Sequence, residues 1–368
     1  MRVRETQWNR RAFVQTVAGG MTALAARTAT AADTAMKKRN IKLGFDNFSV
    51  RNLGMKAEAL LDYAATLGVD VVLFSDLDVY TSHEPDYLKS IKEKADRLGL
   101  EIQAGTGSIC PSSSAFNNRF GNAEEHLALV IRVAQAIGSP VARCYMGTSR
   151  DRQGEGLAKH IENTINLCKA FRSRAQDAQV KIAIENHAGD MQSWELVELI
   201  EAAGKDFVGA TLDSGNAAWT LEDPQTNLEV LGPYAATTGM RDSAVWEAEN
   251  SINVEWVNHG DGSVDWPAYL DTFEKLCPNV PFILEVITAI GVRNYPFLEK
   301  DFWKTYGDIK ASYFAGLLRM AKKGKPFTQP DGRPTGDRSD DLTRRQQKYD
   351  LERSLRFCKE ELGLGLRA

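Results

Sequence analysis

The chain has 368 residues, of which 43% are hydrophobic and 26% are charged, and its formal net charge at pH 7 is −4. This is an ordinary composition for a soluble globular protein, and it gives no reason to expect binding to nucleic acid or stable insertion into a membrane. The five cysteines form no CxxC pair and match no zinc module, so we expect buried or unpaired thiols.

The first segment of the chain resembles a twin-arginine secretion signal. Arg10 and Arg11 precede an apolar run rich in Ala, Gly and Thr, and Ala29-Thr30-Ala31 offers the small residues of a cleavage site. The run is too short and too weakly apolar to span a membrane as a helix. We therefore expect residues 1–35 to be an export signal and spacer and the protein to be periplasmic or secreted, with a disordered arm as the alternative.

From residue 40 onward, short apolar runs alternate eight times with helical patterns. The predicted strands are 41–45, 69–74, 100–104, 141–146, 180–185, 208–213, 235–242 and 282–286, each followed by a predicted helix, the last of them 302–322. The seventh strand is the least regular, and a long polar loop, 243–263, follows it. Eight such units in one run predict an α/β fold, a (β/α)8 TIM barrel, over residues 40–322.

The composition changes after the predicted barrel. Residues 324–345 are rich in Gly, Pro, Asp and Arg, which predicts an extended linker. Residues 349–362 have their leucines and Cys358 on one face of a short amphipathic helix. We expect the segment 323–368 to dock its helix on the barrel or on a neighbouring subunit, so a homo-oligomer is one of the two expected arrangements.

Three of the predicted strands end in a carboxylate: Glu185 ends the fifth, Asp213 the sixth and Glu285 the eighth. In a parallel barrel these ends meet at the face where ligands bind, so the acids repel each other unless a proton or a cation neutralises them. A hard divalent ion with oxygen ligands is the simpler solution, and strand-end salt bridges are the alternative. Such an ion polarises a sugar carbonyl, and a neighbouring carboxylate can then remove a proton from the adjacent carbon.

Five short motifs follow one another in order along the predicted barrel. They are Ile184-Glu185-Asn186-His187, Leu212-Asp213-Ser214-Gly215-Asn216, Met240-Arg241-Asp242, Gly260-Asp261-Gly262-Ser263-Val264-Asp265-Trp266 and Ile283-Leu284-Glu285. Their order and spacing resemble the xylose isomerase-like barrel family, the sugar phosphate isomerase/epimerase superfamily. The resemblance covers residues 40–320 and implies a sugar-transforming enzyme. Endonuclease IV-type members of that superfamily need a histidine-rich three-zinc site, which five histidines on an acidic chain do not supply.

The resemblance implies metal ligands in the order Glu, Asp, His, Glu on strands five to eight. Glu185, Asp213 and Glu285 match three of them, with Mn, Mg, Co or Zn as the implied ion, and the two glutamates inherit the role of acid/base pair. The family pattern His-x-x-Asp on strand seven is here Gly239-Met240-Arg241-Asp242, so the imidazole is missing. Asn216 stands where members often carry a histidine, and it can still bond a hydroxyl.

Three further residues are candidates for substrate binding beside Asn216. His187 directly follows Glu185-Asn186 and is expected near the site, with a histidine packed behind the strand as the alternative. Arg241 could bind an anionic or hydroxylated substrate, or else pair with Asp242. His259, on the loop before Gly260, could supply the missing imidazole or be an ordinary loop residue.

These features predict a metal-assisted isomerase or epimerase that abstracts a proton next to a carbonyl on a free or oxidised sugar. A lyase that cleaves a 3-keto-glycoside by β-elimination, and a catalytically lapsed barrel that binds carbohydrate, are the alternatives. Trp219, Trp246 and Trp256 lie on predicted loops at the barrel mouth and are candidates to stack on a sugar ring, with core packing as the alternative.

Overall fold

The structure is a computed structural model, and it describes residues 37–152 and 156–367. The candidate export signal and its cleavage site precede residue 37, so that prediction lies outside the described residues. Within the described part of the chain, no helix is both long enough and apolar enough to cross a membrane. All five cysteines are buried and free, as their spacing predicted.

Eight parallel strands form the centre of the fold. The described residues form the strands β1 Leu43–Asp46, β2 Val71–Phe74, β3 Glu101–Ser108, β4 Val141–Tyr145, β5 Lys181–Glu185, β6 Val208–Leu212, β7 Ala235–Thr238, β8 Asp242–Ala248, β9 Ser251–Val257, β10 Phe282–Leu284 and β11 Arg293–Tyr295. The order in the main sheet is β10-β1-β2-β3-β4-β5-β6-β7, and a bridge between Met240 and Leu284 joins its two ends. The barrel is therefore nearly closed, and the predicted TIM barrel is confirmed.

The barrel strands are apolar on both faces because both faces are buried. Val71, Leu73 and Ile283 meet in the barrel interior. Val72 and Phe74 point the other way, into the large core shared with the helices. Side chains two residues apart share a face, so Glu285 points into the barrel as Ile283 does.

Helices surround the sheet. They are α1 Ala57–Leu67, α2 Pro85–Leu98, α3 Ala123–Ile137, α4 Leu157–Ala170, α5 Arg172–Asp177, α6 Ser193–Ala203, α7 Ser214–Trp219, α8 Pro224–Leu231, α9 Trp266–Leu276, α10 Trp303–Tyr306, α11 Ala311–Lys323 and α12 Asp340–Glu360. The two ends of α3 show how particular residues determine where a helix begins and ends. Asn122 and Glu125 form a capping box at its start, and Gly138 ends it with a φ of 74°, which glycine adopts without strain.

Regular strand β7 ends at Thr238 and Met240 makes the last barrel bridge, so the chain leaves the barrel before the predicted end of strand seven at residue 242. Strands β8 and β9 form an antiparallel hairpin, to which β11 adds a third strand. The prediction of a long polar loop over 243–263 is therefore wrong for most of these residues. Ile252, Val254 and Trp256 alternate with polar residues along β9 and pack in a second hydrophobic core, so a strand signal was present in the sequence and was overlooked.

The predicted helix 302–322 does not pack against the barrel wall. Its residues form α10 and α11, and α11 buries Leu317 and Ala321 in the second core with the hairpin. The outer ring is instead completed by α12. This helix contributes Leu351 and Leu355 to the main core, and its Glu352 accepts a hydrogen bond from Tyr63 of α1 at 3.1 Å.

Helix α12 begins nine residues before the predicted start at residue 349. Ser339 caps it by accepting a bond from the Leu342 N–H, and its first turns are almost wholly polar. The polar first turns of α12 lack the regular spacing of hydrophobic residues that predicts an amphipathic helix. That spacing begins only where the helix packs against the barrel. Of the two arrangements expected for this helix, the structure shows docking on the barrel.

Candidate active site

Three acids meet at the carboxyl end of the barrel. Glu185 is the last residue of β5, Asp213 follows β6 and Glu285 follows β10, and all three are buried. One carboxylate oxygen from each lies within 4.8 Å of the others. In the closed strand order, β5 lies three strands away from β10, so Glu185 and Glu285 approach each other from well-separated parts of the barrel wall.

Two buried arginines neutralise part of this negative charge. Arg143, on β4, forms an ion pair with Glu185 and donates a bond to the Thr106 carbonyl at 3.1 Å. Arg241 donates to Asp213 and pairs with Glu285 at 2.5 Å. Arg241 therefore bridges two of the three acids, rather than pairing with Asp242 as one alternative had it. Sequence reasoning missed Arg143, although a charged residue inside an otherwise apolar strand was a signal for it.

Burial and ion pairing act against each other on these groups. Burial alone would lower the pKa of both guanidiniums, but their carboxylate partners outweigh it and hold the pKa of Arg143 and Arg241 above the usual value. For Glu285, the two guanidiniums outweigh burial, so its pKa lies below the usual value. Burial, with repulsion from Glu285, raises the pKa of Glu185 despite its pairing with Arg143. The two glutamates thus hold a proton with different strengths.

Asn216 ties Glu185 to Asp213. Its side-chain amide donates to Glu185 Oε1 and to Asp213 Oδ2, both at 2.9 Å. Asp213 is also the N-cap of α7, and its Oδ1 accepts bonds from the backbone N–H groups of Gly215 and Asn216. The turn Ser214-Gly215-Asn216 therefore fixes the side-chain conformations of Glu185 and Asp213. The side-chain N–H groups of Asn216 are engaged in hydrogen bonds to these two acids.

His187 lies beside the acids and is only partly buried. Its ring stacks on Tyr145, with centroids 3.7 Å apart, and its Nδ1 lies 2.7 Å from the Gly147 carbonyl oxygen. A carbonyl only accepts, so Nδ1 carries the proton and Nε2 remains an acceptor. Burial, with the charge of Arg143, lowers the pKa of His187 to about 3. The imidazole is neutral at physiological pH.

A fourth acid at this end of the barrel was missed. Asp46 is the last residue of β1, and its Oδ1 accepts bonds from the Phe48 N–H at 2.8 Å and the Ser75 hydroxyl at 2.5 Å. Its Oδ2 is buried without a hydrogen-bond partner among the described residues. Burial, with repulsion from Glu285, raises its pKa to about 8. The signal was in the sequence, since Leu43-Gly44-Phe45 is another apolar run that ends in a carboxylate.

Gly239 occupies the strand-seven position where the resemblance implies a histidine. A Cβ atom on this residue would lie 3.4 Å from Glu285 Oε2 and 3.6 Å from Asp213 Oδ2. The position therefore faces Glu285 and Asp213, as the sequence motif implied, and a Cβ atom there would make ordinary van der Waals contacts. The guanidinium of Arg241 contacts the same two carboxylates.

His259 does not join this site. It is buried against Trp266 and Phe282, at ring distances of 5.1 and 6.2 Å. Phe282 belongs to the core outside the barrel wall, so the ring of His259 lies behind β10. The prediction that this loop histidine contacts substrate or supplies the missing imidazole is wrong in this geometry. The loop is held away from the mouth because the His259 N–H donates to Ser354 of α12.

Two of the three tryptophans are unavailable for stacking on a sugar. Trp219 and Trp256 stack on each other, with centroids 3.8 Å apart. Their outer faces are covered by guanidiniums, Arg293 over Trp219 at 3.5 Å and Arg241 over Trp256 at 4.4 Å. Core packing, the alternative for these loop aromatics, describes them better.

The side chains present fit a hard divalent cation. The three acids offer oxygen atoms within 4.8 Å of one another, and no nitrogen or sulfur ligand belongs to the group within the described residues. Asn216 Oδ1 is a further buried oxygen that lacks a hydrogen-bond partner in the described part of the chain. A cation at this point would share two carboxylates with Arg241. An all-oxygen set suits Mg²⁺ or Mn²⁺ better than Zn²⁺.

Comparisons with known proteins agree with this fold. A family model described as "Xylose isomerase-like TIM barrel" matches residues 61–299. A curated relative, 3-oxo-isoapionate decarboxylase from Pectobacterium atrosepticum, is 21% identical over 231 residues, which cover 62% of this chain and 76% of the relative.

Two solved structures illustrate the structural likeness. D-psicose 3-epimerase from Clostridium cellulolyticum, in a structure with D-tagatose, has a TM-score of 0.56 at 12% identity and covers 85% of this chain and 98% of its own. The 3-keto-D-glucoside 4-epimerase of E. coli has a TM-score of 0.52 at 12% identity and covers 76% of this chain and 99% of its own. At such identities the likeness shows the fold alone.

Proposed function

Because the chain belongs to the xylose isomerase-like TIM barrel family, we propose that it is a sugar isomerase or epimerase that moves a proton at the carbon next to a carbonyl. The observation that carries the proposal is the pair of buried glutamates at the barrel mouth, on strands three apart, each with a carboxylate oxygen within 4.8 Å of the other and of one from Asp213. Two carboxylates so placed can flank one substrate carbon. One removes the proton from one face, and the other returns a proton to the opposite face or to the neighbouring carbon.

Glu185, Asp213 and Glu285 are the residues that would hold a divalent cation. When bound, such an ion polarises the substrate's carbonyl and adjacent hydroxyl, which makes the neighbouring C–H acidic. The chain's own cations act in the same direction. Arg143 and Arg241 stabilise the ionised acids and lower the cost of negative charge on the substrate oxygens.

The neutral residues position the substrate. His187 offers Nε2 as an acceptor to a sugar hydroxyl, and its stack with Tyr145 and its bond to the Gly147 carbonyl hold the ring in place. Asn216 bonds both Glu185 and Asp213, so its part is to hold the acids at their working distance. The nearly complete burial of the acids excludes water, which strengthens these electrostatic interactions.

The test is proton exchange in D₂O. We expect the purified protein, supplied with Mn²⁺ or Mg²⁺, to incorporate deuterium next to the carbonyl of a ketose or 3-keto sugar in a substrate panel, as followed by NMR. Glu185→Gln and Glu285→Gln should reduce the exchange rate by about 10²-fold or more, with a smaller effect on binding, since glutamine keeps the shape.

Glu222→Gln is the matched control. Glu222 is also fully buried, but it bonds Ser193 and Asn227, away from the three acids. It should leave exchange unchanged. Exchange at the wild-type rate in both site variants would remove the assignment of the acid/base pair.

Decarboxylation of a 3-oxo sugar acid is the second candidate. It is favoured by the curated relative, which is named as a decarboxylase of such a compound. Loss of CO₂ from a 3-oxo acid leaves the same kind of enolate that proton abstraction produces, so the same cations and acids would stabilise it. Release of CO₂ from 3-oxo sugar acids, without exchange on neutral ketoses, would select this function over isomerisation.

A further inference from the structure

A cavity opens at the same end of the barrel as the buried acids. It has a volume of about 320 Å³ and is lined in part by Ser149, Arg150, Arg293 and Tyr306. Ser149 and Arg150 come from the segment after β4, and Arg293 begins β11, on the connection that follows β10. A Cβ atom on Gly189, after β5, would lie 3.6 Å from Arg293 Nη1. Segments that follow three barrel strands therefore meet at this cavity, which is the arrangement of a ligand site.

The guanidinium of Arg293 lines this cavity and stacks on a tryptophan. It lies 3.5 Å from the ring centre of Trp219, which stacks on Trp256 at 3.8 Å, and Arg241 covers the far face of Trp256 at 4.4 Å. One continuous stack thus connects the cavity to the arginine that bridges Asp213 and Glu285. Stacking occupies the face of a guanidinium and leaves its edge N–H groups able to donate; one donates to the Tyr295 hydroxyl, and the others remain for a ligand.

Neither cation of the cavity has a carboxylate partner among the described residues. In contrast, Arg143, Arg152 and Arg241 each pair with a buried acid. These two guanidiniums and the hydroxyls of Ser149 and Tyr306 form a donor-rich lining, in which Arg293 also bonds the Tyr295 hydroxyl. Arginine pairs bind carboxylates and phosphates because two parallel N–H donors match two oxygens of such a group.

We propose that this cavity is a binding subsite for an oxyanion, a carboxylate or phosphate carried by the part of the substrate remote from the reacting carbon. The subsite rests on the proposed function, since it takes the second end of a molecule whose first end lies at Glu185 and Glu285. It narrows the substrate to a sugar acid or a sugar phosphate, or to a glycoside that carries one of these groups. Neutral free sugars would bind the acids but leave the two guanidiniums unused.

The test measures binding by calorimetry at low ionic strength, with D-glucuronate, D-glucose 6-phosphate, inorganic phosphate and neutral D-glucose as probes. We expect both anionic sugars to bind more tightly than D-glucose. Arg150→Gln and Arg293→Gln should each weaken the anionic probes by about tenfold and leave D-glucose unaffected. The preferred anionic sugar identifies whether carboxylate or phosphate is the natural group. Equal affinity for anionic and neutral sugars, or anion affinity unchanged in both variants, overturns the proposal.

The two variants control for each other. Arg293→Gln removes one end of the tryptophan stack, so near-UV circular dichroism must show that the stack persists. Arg150 is exposed and stacks on no ring of residues 37–152 or 156–367, so Arg150→Gln tests the charge without that complication. Arg174→Gln is the matched negative control, because Arg174 is an exposed arginine over Phe171 on α5, outside this cavity. It should leave the affinity for every probe at the wild-type value.

Failure of the subsite and failure of the proposed function can be told apart. Glu285→Gln should abolish proton exchange but retain the binding of inorganic phosphate, since Glu285 does not line the cavity. Loss of phosphate binding in Glu285→Gln, with normal binding in Arg150→Gln and Arg293→Gln, would place the anion at the acids instead and overturn the subsite.

Discussion

Arg241 is the residue on which the electrostatics of the site depend most. Its guanidinium joins Asp213 to Glu285, and all three groups are almost completely buried. A buried ion pair contributes little net stability, but removal of one partner leaves the other charge uncompensated in a medium of low polarity.

We therefore predict that Arg241→Gln lowers the free energy of unfolding by about 3–5 kcal/mol in the presence of EDTA. Added Mn²⁺ should restore more stability to this variant than to the wild type, because a bound cation replaces the lost charge. The same substitution at Arg353, whose pairing with Asp261 is partly exposed, should cost less than about 1 kcal/mol. Urea titrations of the three proteins, with and without Mn²⁺, measure both effects. Equal losses in the two variants would contradict the prediction.

Gly239 gives a second prediction at this scale. Because its Cα faces Glu285 and Asp213, Gly239→His should place an imidazole beside the three acids and tighten the binding of Mn²⁺ or Zn²⁺ by about tenfold. His259→Ala should change the affinity little, since His259 lies behind β10. Titration calorimetry of both variants decides. Loss of metal binding in His259→Ala would mean that the loop supplies a ligand after all.

His259 itself predicts a pH dependence of stability. Burial lowers its pKa to about 3, from an ordinary value near 6.5. A neutral buried histidine stabilises the fold fully above pH 6.5, and this contribution is lost as the pH falls toward 3, at up to about 1.4 kcal/mol per pH unit. Both ring nitrogens lack a hydrogen-bond partner in the described part of the chain, so phenylalanine can replace the ring at little cost.

In His259→Phe, the free energy of unfolding should therefore fall less steeply than in the wild type between pH 6.5 and pH 4. The measurement is a series of urea titrations of both proteins across this range. Parallel curves for the two proteins would show that His259 gains a proton equally well in the folded and unfolded states.

At the scale of single elements, helix α12 is connected to the end of the barrel at which the three acids lie. Asp350 lies at the middle of α12. It accepts hydrogen bonds from the Thr288 hydroxyl at 2.8 Å and from the Arg333 guanidinium at 2.7 and 2.8 Å. Thr288 lies three residues after Glu285. The C-terminal segment thus fixes the loop that carries the chain away from this acid.

Asp350→Ala should lower the free energy of unfolding by about 2 kcal/mol, between the values for an exposed and a buried pair, because Asp350 is buried but Arg333 is partly exposed. Hydrogen exchange should become faster in the loop after Glu285. Asp341→Ala on the same helix, which breaks an exposed pair with Arg345, should cost less than about 0.5 kcal/mol and leave that loop unchanged. Unchanged exchange in both variants would show that α12 does not hold the loop.

The elements also show what sequence reasoning could and could not find. Strands β5 and β6 were predicted to within a residue or two because each is an apolar run bounded by polar residues. The hairpin β8–β9 was missed although Ile252, Val254 and Trp256 alternate with polar residues in the pattern of a strand with one buried face, because a barrel needs no strand in this connection. The role of α12 was missed because this helix lies far along the chain from β10, yet it completes the outer ring of helices. The spacing of hydrophobic residues shows that a helix has a buried face, but it does not show which element packs against that face.

For the whole molecule, the convergence of Glu185, Asp213 and Glu285 could be predicted, since topology alone brings the ends of parallel strands together. The partners of these acids could not. Arg143 and Asp46 reach the same point from β4 and β1, and their contacts depend on side-chain geometry that no linear motif encodes. The prediction that His259 lies at the barrel mouth was wrong for a related reason. The loop that carries it follows a barrel strand in the sequence, but it folds behind β10.

The account as a whole depends on the three acids acting together as a cation site. Calorimetric titration of Mn²⁺ into EDTA-treated protein tests this most directly. The account predicts one ion per chain, loss of binding in Asp213→Asn, and retained binding in Glu222→Gln, whose buried carboxylate lies outside the group. Wild-type protein that binds no divalent ion, or binding that Asp213→Asn leaves intact, would contradict it.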